Sequence, residues 1–137
     1  MAGFIIRIND DHLLRFHFLP EAPHTTKAFL AALPFAEKFY HARISGQEIW
    51  MDKAPKLDVI QENVSIFANP GEIVIGPSKP IRNKIIGCMG IFYGEGKLLD
   101  GGNIFGKIWE EDMDALVQLG NSIWKKGEQI LSFEADD

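Results

Sequence analysis

The residues best suited to chemistry in this chain lie close together in one segment, residues 41–50. It contains an imidazole, a guanidinium, a carboxylate and an indole, on His41, Arg43, Glu48 and Trp50. In a β-strand alternate side chains share a face, so Glu48 and Trp50 should face one side, and His41 and Arg43 should share a side on the preceding arm. If these groups surround one concave surface, they would suit a small polar or charged ligand.

Each of these residues also has a purely structural interpretation, which the sequence leaves open. Trp50 could fill the core, and Glu48 could form an ion pair with Arg43. His41 could be a partly buried histidine whose hydrogen bonds are satisfied by its neighbours.

Other site chemistries find little support in the sequence. The four histidines lack zinc-ligand spacing and Cys88 is the only cysteine, so we expect no metal and no internal disulfide. Gly94 and Gly96 are not followed by the third glycine of a dinucleotide fingerprint, and Ser45 lacks a nucleophile elbow. We therefore expect no cofactor, and whether the chain is an enzyme stays open.

Composition and net charge restrict the classes of partner that the chain could bind. The chain has 137 residues and a formal net charge of −5, which predicts one domain over residues 1–137 and argues against nucleic acid. The apolar start is interrupted by Arg7 and Asn9, so we expect neither a signal peptide nor a membrane span, and we expect a cytoplasmic location. Its 10 phenylalanines and 3 tryptophans could fill one core or leave some for a homodimer face.

Periodicity and turn residues predict many short strands and two helices. Closure removes the exposed edges of such a sheet, so the sequence predicts a mainly β fold in the form of a closed or nearly closed barrel. One helix should begin with Thr25 or Thr26 as its cap and stop at Pro34, and the other should cover Glu111–Lys126. The predicted strands are Phe4–Ile8, Leu13–Phe18, Lys38–Arg43, Gln47–Met51, Val64–Phe67, Glu72–Ile75, Lys84–Tyr93 and Gln129–Phe133.

The connecting segments are predicted from their glycines, prolines and charges. Gly94, Gly96 and the pair Gly101-Gly102 should mark turns. Lys79–Asn83 should be an exposed loop, and Glu134–Asp137 should be a frayed acidic tail.

Three segments resemble cyclophilins in the same order along the chain. Phe18–Leu30 looks like a cyclophilin strand and first helix, His41–Trp50 occupies the place of their active-site segment, and Leu99–Ile108 is similar to their Leu-Asp-Gly…Phe-Gly-Lys-Val segment. The resemblance implies a cyclophilin-like closed β-barrel with two α-helices. It also implies that Tyr93 and Asn103 flank the ligand groove.

A second resemblance is to a family of small uncharacterised prokaryotic proteins with a cyclophilin-like fold. Its pattern includes His-Ala-Arg-x-Ser-Gly-x-Glu-x-Trp, Glu-Asn, Pro-Gly, Ile-Phe-Tyr-Gly and Gly-Asn-x-Phe. This chain has all five, at His41–Trp50, Glu62-Asn63, Pro70-Gly71, Ile91–Gly94 and Gly102–Phe105.

Three hypotheses of function follow. The first is binding of a small polar ligand or short peptide at the barrel mouth, by His41, Arg43, Glu48, Trp50, Tyr93 and Asn103. The second is a peptidyl-prolyl cis-trans isomerase, with Arg43 near the place of the cyclophilin arginine. Leu98 and Asn103 depart from the cyclophilin pattern, and Glu48 could neutralise Arg43. The third is a non-catalytic subunit of an amide-hydrolysing complex, since cyclophilin-like barrels also occur there.

Overall fold

The computed structural model describes residues 3–79 and 83–136 as a mainly β fold whose sheet closes into a ring. Six strands form the ring in the order Leu13–Phe18 (β2), Gly3–Arg7 (β1), Gln129–Asp136 (β8), Phe35–His41 (β3), Gly46–Met51 (β4) and Met89–Ile108 (β7), and β7 pairs back onto β2. The remaining strands, Val64–Ala68 (β5) and Glu72–Ile75 (β6), both pair with β7. Neither helix is long and apolar enough, within the described residues, to cross a lipid bilayer. The elements are β1 Gly3–Arg7, β2 Leu13–Phe18, α1 Pro23–Ala32, β3 Phe35–His41, β4 Gly46–Met51, β5 Val64–Ala68, β6 Glu72–Ile75, β7 Met89–Ile108, α2 Met113–Lys126 and β8 Gln129–Asp136.

The longest element, β7, was predicted incorrectly. It begins at Met89 rather than at Lys84, and it runs through Gly94, Gly96 and Gly101-Gly102 without a turn. These glycines have no positive φ; they lie where other groups approach the strand closely. A Cβ on Gly94 would collide with the Gln47 side chain, and one on Gly102 would collide with Val74.

The interior of the ring is filled by aromatic side chains. The Phe4 ring lies 4.9 Å from that of Phe16, 5.0 Å from that of Phe29 and 6.1 Å from that of Phe133, measured between centroids. All four phenylalanines are buried. Rings at these separations pack as in a close-packed protein core. Any ligand site must therefore lie outside this packed interior.

The cap of α1 comes from a distant residue. The helix begins at Pro23, so Thr25 and Thr26 lie inside it and the prediction that one of them is its cap was wrong. The Glu62 carboxylate instead accepts the backbone N–H groups of Thr25, at 2.7 Å, and His24, at 3.3 Å. These donors have no partner within a helix, and a carboxylate is favoured there by the helix dipole.

The end of the chain is also better ordered than predicted. β8 continues to Asp136 and pairs antiparallel with β1, so residues 134–136 are a strand and not a frayed tail. The Arg7 guanidinium lies 2.8 Å from the Glu134 carboxylate across this pair. Charged residues in this strand point outward while Phe133 packs inward, which a count of acidic residues alone does not reveal.

The predicted loop at Lys79–Asn83 lies partly outside the described residues, which omit 80–82. Asn83 itself is buried, contrary to the prediction. Its Nδ2 donates to the Gly101 carbonyl at 2.5 Å, and its Oδ1 accepts the Ile85 N–H at 2.8 Å. This side chain fixes the start of the turn that leads into β7.

Candidate functional site

A groove with a volume of about 1090 Å³ lies beside the β3–β4 hairpin and is lined by both of its arms and by its turn. The hairpin forms one side, the end of α2 a second, and the turn before β7 a third. Most of its exposed lining is apolar, with charged side chains of both signs among it. Its lining residues are Tyr40–Ser45, Glu48, Trp50, Asp52, Lys53, Lys84, Ile85, Cys88, Leu98, Leu99, Ile123, Trp124, Gly127 and Glu128.

Glu48 is the buried acid of this groove. Only 5% of the residue is exposed, and within the described residues its carboxyl has one hydrogen bond, which Ser45 Oγ donates to Oε1 at 2.5 Å. The other carboxyl oxygen lies over Gly90, where a Cβ would collide with it. Gly90 therefore provides the space that this carboxyl occupies.

The burial of Glu48 changes its acidity. Burial raises its pKa to about 7, because a charged carboxylate is poorly solvated there, while the hydrogen bond from Ser45 acts in the opposite direction. No cation neutralises the group among the described residues. A carboxyl of this kind can change its charge near neutral pH or accept a positively charged partner.

The alternation predicted for β4 holds. Ile49 and Met51 are buried in the core, whereas Glu48 and Trp50 both line the groove. Trp50 is half-buried and pairs across the hairpin with Tyr40, with 6.4 Å between the ring centroids. An indole in this position offers a flat apolar face beside the carboxyl of Glu48.

His41 and Tyr93 form a separate pair on the other face of the hairpin. The register places His41 opposite Ile49, which points away from Glu48 and Trp50. His41 Nδ1 lies 2.8 Å from the Ala42 carbonyl, and Nε2 lies 2.6 Å from the Tyr93 hydroxyl. A carbonyl only accepts, so a neutral His41 carries its proton on Nδ1 and Tyr93 donates to Nε2.

The Tyr93 ring is held by the helix α2. It lies against Gly120, where a Cβ would collide with the ring, and burial raises the pKa of its hydroxyl. On the other side of His41 lies Trp124, with 4.7 Å between the ring centroids. His41 and Trp124 border the groove, whereas Tyr93 supports His41 from behind.

Arg43 lies at the rim of the groove and is exposed. The ion pair with Glu48, one of the alternatives that the sequence left open, does not form: no acidic group of the described residues lies within 4.0 Å of the Arg43 guanidinium. The reason is geometric, because Arg43 lies in the exposed hairpin loop while the Glu48 carboxyl is buried and bonded to Ser45.

Asn103 does not line the groove. It is fully buried, accepts the Glu62 N–H at 3.1 Å and donates to the Ile60 carbonyl at 2.7 Å. It therefore anchors the segment whose Glu62 caps α1. The structure thus brings Arg43, Glu48 and Trp50 to one groove, with His41 at its border on the other face of the hairpin, and places Asn103 elsewhere.

Several groove residues were not identified from the sequence. Ser45 was considered only as a nucleophile and Cys88 only as a disulfide or metal-ligand candidate, although Cys88 is half-buried at the groove. Burial raises the pKa of the Cys88 thiol, and the carboxylates of Asp52 and Glu48 raise it further. Within residues 3–79 and 83–136, no three His, Cys, Asp or Glu side chains come together as a metal site requires.

The family model described as "Protein of unknown function (DUF3830)" matches residues 16–134, so this chain belongs to that family. No curated protein matches the chain.

Two solved structures are similar to it in fold. McbB, solved in complex with tryptophan, is 13% identical with a TM-score of 0.73, and the match covers 97% of this chain and 44% of McbB. The hypothetical protein AF2241 from Archaeoglobus fulgidus is 16% identical with a TM-score of 0.63, over 98% of this chain and 95% of that protein. This chain thus spans less than half of McbB, and both likenesses concern the fold alone.

Proposed function

We propose that this chain binds a small molecule with a basic nitrogen on an apolar or aromatic body, and that the nitrogen meets Glu48. The observation that carries the proposal is the burial of Glu48: the residue is 5% exposed, and its carboxyl is hydrogen-bonded only to Ser45 among the described residues. A buried carboxylate is costly unless it is paired, and an ammonium group would pair it.

The surroundings of Glu48 suit the rest of such a molecule. Trp50 lies beside the carboxyl on the same strand face, and Ile85 and Leu98 add apolar surface to the groove. Arg43 and Lys84 at the rim could accept a carboxylate on the same ligand. McbB is described in complex with tryptophan, which has this combination of amine, aromatic ring and carboxylate.

The proposal is tested by calorimetric titration of the protein with tryptamine and with tryptophol, its alcohol counterpart. We expect tryptamine to bind and tryptophol to bind at least tenfold more weakly. Glu48→Gln should weaken the binding of tryptamine by about 2 kcal/mol or more, roughly thirtyfold in Kd, because a buried charge pair is lost. Glu95→Gln, which removes an exposed carboxylate of β7, is the matched control and should leave affinity unchanged.

Two results would refute this function. One is that the protein binds tryptamine and tryptophol with equal affinity, or that the parent protein and Glu48→Gln bind tryptamine with equal affinity. The other is that neither tryptamine nor L-tryptophan binds at millimolar concentration.

Prolyl isomerisation is the second candidate, and it depends on Arg43. Its guanidinium is exposed at the rim and is not neutralised by Glu48, so it could meet a substrate carbonyl. A protease-coupled assay with a proline peptide should then show a rate above background that Arg43→Ala abolishes. If the parent protein does not raise the isomerisation rate above that of the uncatalysed reaction, prolyl isomerisation is ruled out.

We also propose that residues 1–137 form one cyclophilin-like barrel domain located in the cytoplasm. The closed sheet ring and the two helices support the barrel. A homodimer is a further proposal, supported by exposed apolar side chains such as Phe67 and Leu99, each 62% exposed.

A further inference from the structure

One part of β3 has a neighbouring strand on only one side. Residues 35–39 pair with β8, whereas the pairing of β3 with β4 is confined to the last two residues of β3. β4 leaves the sheet after Met51, and the Ala54 N–H donates instead to the Gly87 carbonyl at 3.1 Å. Among the described residues, 35–39 therefore form an open sheet edge beside the closed part of the ring.

The direction of the hydrogen bonds shows which backbone groups face this edge. In an antiparallel strand, the N–H and C=O groups of every second residue point to the same neighbour. The Ala42 N–H donates to the Glu48 carbonyl at 2.9 Å, so the even-numbered residues point toward the β4 side. The N–H and C=O groups of Ala36 and Lys38 thus face the open edge, where no described residue bonds to them. Such groups are a template for an added strand.

The surroundings of this edge carry more negative than positive charge. A cleft of about 330 Å³ lies beside it. Three carboxylates lie near Tyr40 in this cleft, those of Glu37, Asp52 and Glu128. Burial raises the pKa of the Tyr40 hydroxyl, and these carboxylates raise it further. One of the two lysines of the cleft, Lys38, already lies 4.0 Å from Glu128, so the local charge suits a basic partner.

Glu37 is the acid best placed to select such a partner. It lies between Phe35 and Phe39 on the inner side of the strand. Both rings pack on Phe133, with 4.6 and 5.7 Å between centroids. Glu37 is half-buried, and no cation of the described residues lies within 4.0 Å of its carboxylate. An inward charge on an edge disfavours an uncharged strand, whereas a basic residue opposite it forms a stabilising cross-strand pair.

A second copy of this chain fits the edge less well. Two such edges related by a two-fold axis would bond Ala36 of each copy to Lys38 of the other. Glu37 would then lie directly opposite Glu37 of the second copy, and like charges in that position are destabilising. The charge pattern therefore favours a different chain.

We propose that the open edge of β3 binds an extended, basic segment of another protein by strand addition, with an arginine or lysine opposite Glu37. The segment takes the place that a continued β4 would occupy, so it runs antiparallel to β3. Its backbone bonds to that of Ala36 and Lys38. This interaction does not depend on the ligand binding proposed at Glu48.

The test is an NMR titration of the full ¹⁵N-labelled chain with the peptide acetyl-Thr-Val-Arg-Val-Thr-amide, whose blocked amino terminus offers no amine to Glu48. We expect the amide protons of Ala36 and Lys38 to shift downfield and to exchange more slowly with water when the peptide binds. The Glu37 amide, which points to β8, should change little.

Methylation of the peptide nitrogens distinguishes strand addition from other contacts without altering the protein. A methyl group on either valine nitrogen, which faces β3, should weaken binding at least about tenfold, because a hydrogen bond is lost and the strands are forced apart. A methyl group on the arginine nitrogen, which faces solvent, is the matched control and should leave the affinity unchanged. Replacing the arginine by glutamate should abolish binding.

Two variants of the protein test the same contacts. Ala36→Pro removes an N–H from the open edge but none that points to β8, so it should keep the fold and prevent binding. Glu37→Gln should weaken the peptide about threefold. Glu95→Gln, at an exposed position outside the cleft, should not.

The inference is wrong if the peptide does not bind or if its shifts lie away from residues 35–39. It is also wrong if the two kinds of methylated peptide bind equally, if the glutamate peptide binds as well, or if Glu37→Gln has no effect. A dimer in which the Ala36 and Lys38 amides are protected without peptide would overturn it too, because a second copy would then occupy the edge.

Discussion

At the scale of single residues, the proposed ligand binding depends on the burial of Glu48. Its carboxyl is bonded by Ser45, lies over Gly90 and is closed off from most of the solvent. A group in this position is expected to disfavour its charged form, and its pKa of about 7 reflects that. This property can be measured in the protein without any ligand.

The first prediction concerns the pH dependence of stability. The folded pKa of Glu48 is about 7 and the reference value is 4.5, so the folded state binds its proton more tightly than the unfolded state does. The free energy of unfolding should therefore fall as pH rises from about 4.5 through about 7. The loss from this group is about 3 kcal/mol at most.

Glu48→Gln should remove that loss, because glutamine keeps the size and the Ser45 hydrogen bond but has no charge. Urea unfolding should show the variant more stable than the parent at pH 8 and little different at pH 5. Glu95→Gln should have the same free energy of unfolding as the parent at both pH values. If the free energies of unfolding of the parent and Glu48→Gln differ by the same amount at pH 5 and pH 8, Glu48 is not a buried group that titrates between these pH values.

The shared face of Glu48 and Trp50 was predictable from the sequence because strand alternation is a local property. Glu48 and Trp50 are two residues apart in one strand, so their shared face follows from the pleat. The separation of His41 from Glu48 could not be predicted, because it depends on which residues pair across the hairpin. The position of Asn103 depended on contacts with residues about forty positions away, which local pattern does not encode.

At the scale of elements, α2 holds Tyr93, and through it His41, in place. Gly120 would ordinarily weaken a helix, and alanine would be favoured there. Here the absence of a side chain lets the Tyr93 ring lie directly on the helix. Tyr93 in turn donates its hydroxyl proton to His41.

We therefore predict that Gly120→Ala destabilises the protein by about 1–3 kcal/mol, the usual cost of overpacking. Asn121→Ala, at the next and exposed helix position, should be neutral or slightly stabilising. Thermal unfolding of both variants makes the comparison. Removing the ring with Tyr93→Leu should reverse most of the Gly120→Ala loss, and a Gly120→Ala variant as stable as the parent would argue against this packing.

The helices were predicted more reliably than the long strand for a physical reason. The apolar positions of α2 recur at helical spacing over the whole element, which the sequence shows directly. The glycines of β7 look the same in sequence whether they form turns or admit neighbouring groups. Only the fold, which brings Gln47 onto Gly94 and Val74 onto Gly102, distinguishes the two.

At the scale of the whole molecule, the sheet ring is held together where the two ends of the chain meet. β1 and β8 pair from Gly3 and Asp136 to Arg7 and Ser132. This pair is one of the links that close the ring, so the far end of β8 contributes to stability although it looks like an acidic tail. A closed, mainly β sheet was predictable from the many short strands, whereas the extension of β8 to Asp136 was not.

A chain ending at Phe133 should therefore be less stable by about 2–3 kcal/mol, from a few hydrogen bonds at about 1 kcal/mol each and one exposed ion pair. Arg7→Ala, which removes only the ion pair, should cost less than about 1 kcal/mol. Amide hydrogen exchange in β1 should accelerate in the truncated chain. Unchanged exchange and stability would show that β1 does not need residues 134–136.

In the proposed function, Glu48 accepts the basic nitrogen of a ligand in this groove. NMR titration of the ¹³C-labelled Glu48 carboxyl, with and without saturating tryptamine, tests it most directly. We predict a pKa near 7 in the free protein and a clearly lower value in the complex, because a neighbouring ammonium favours the carboxylate. Saturation with tryptamine that leaves the Glu48 pKa unchanged would contradict the claim.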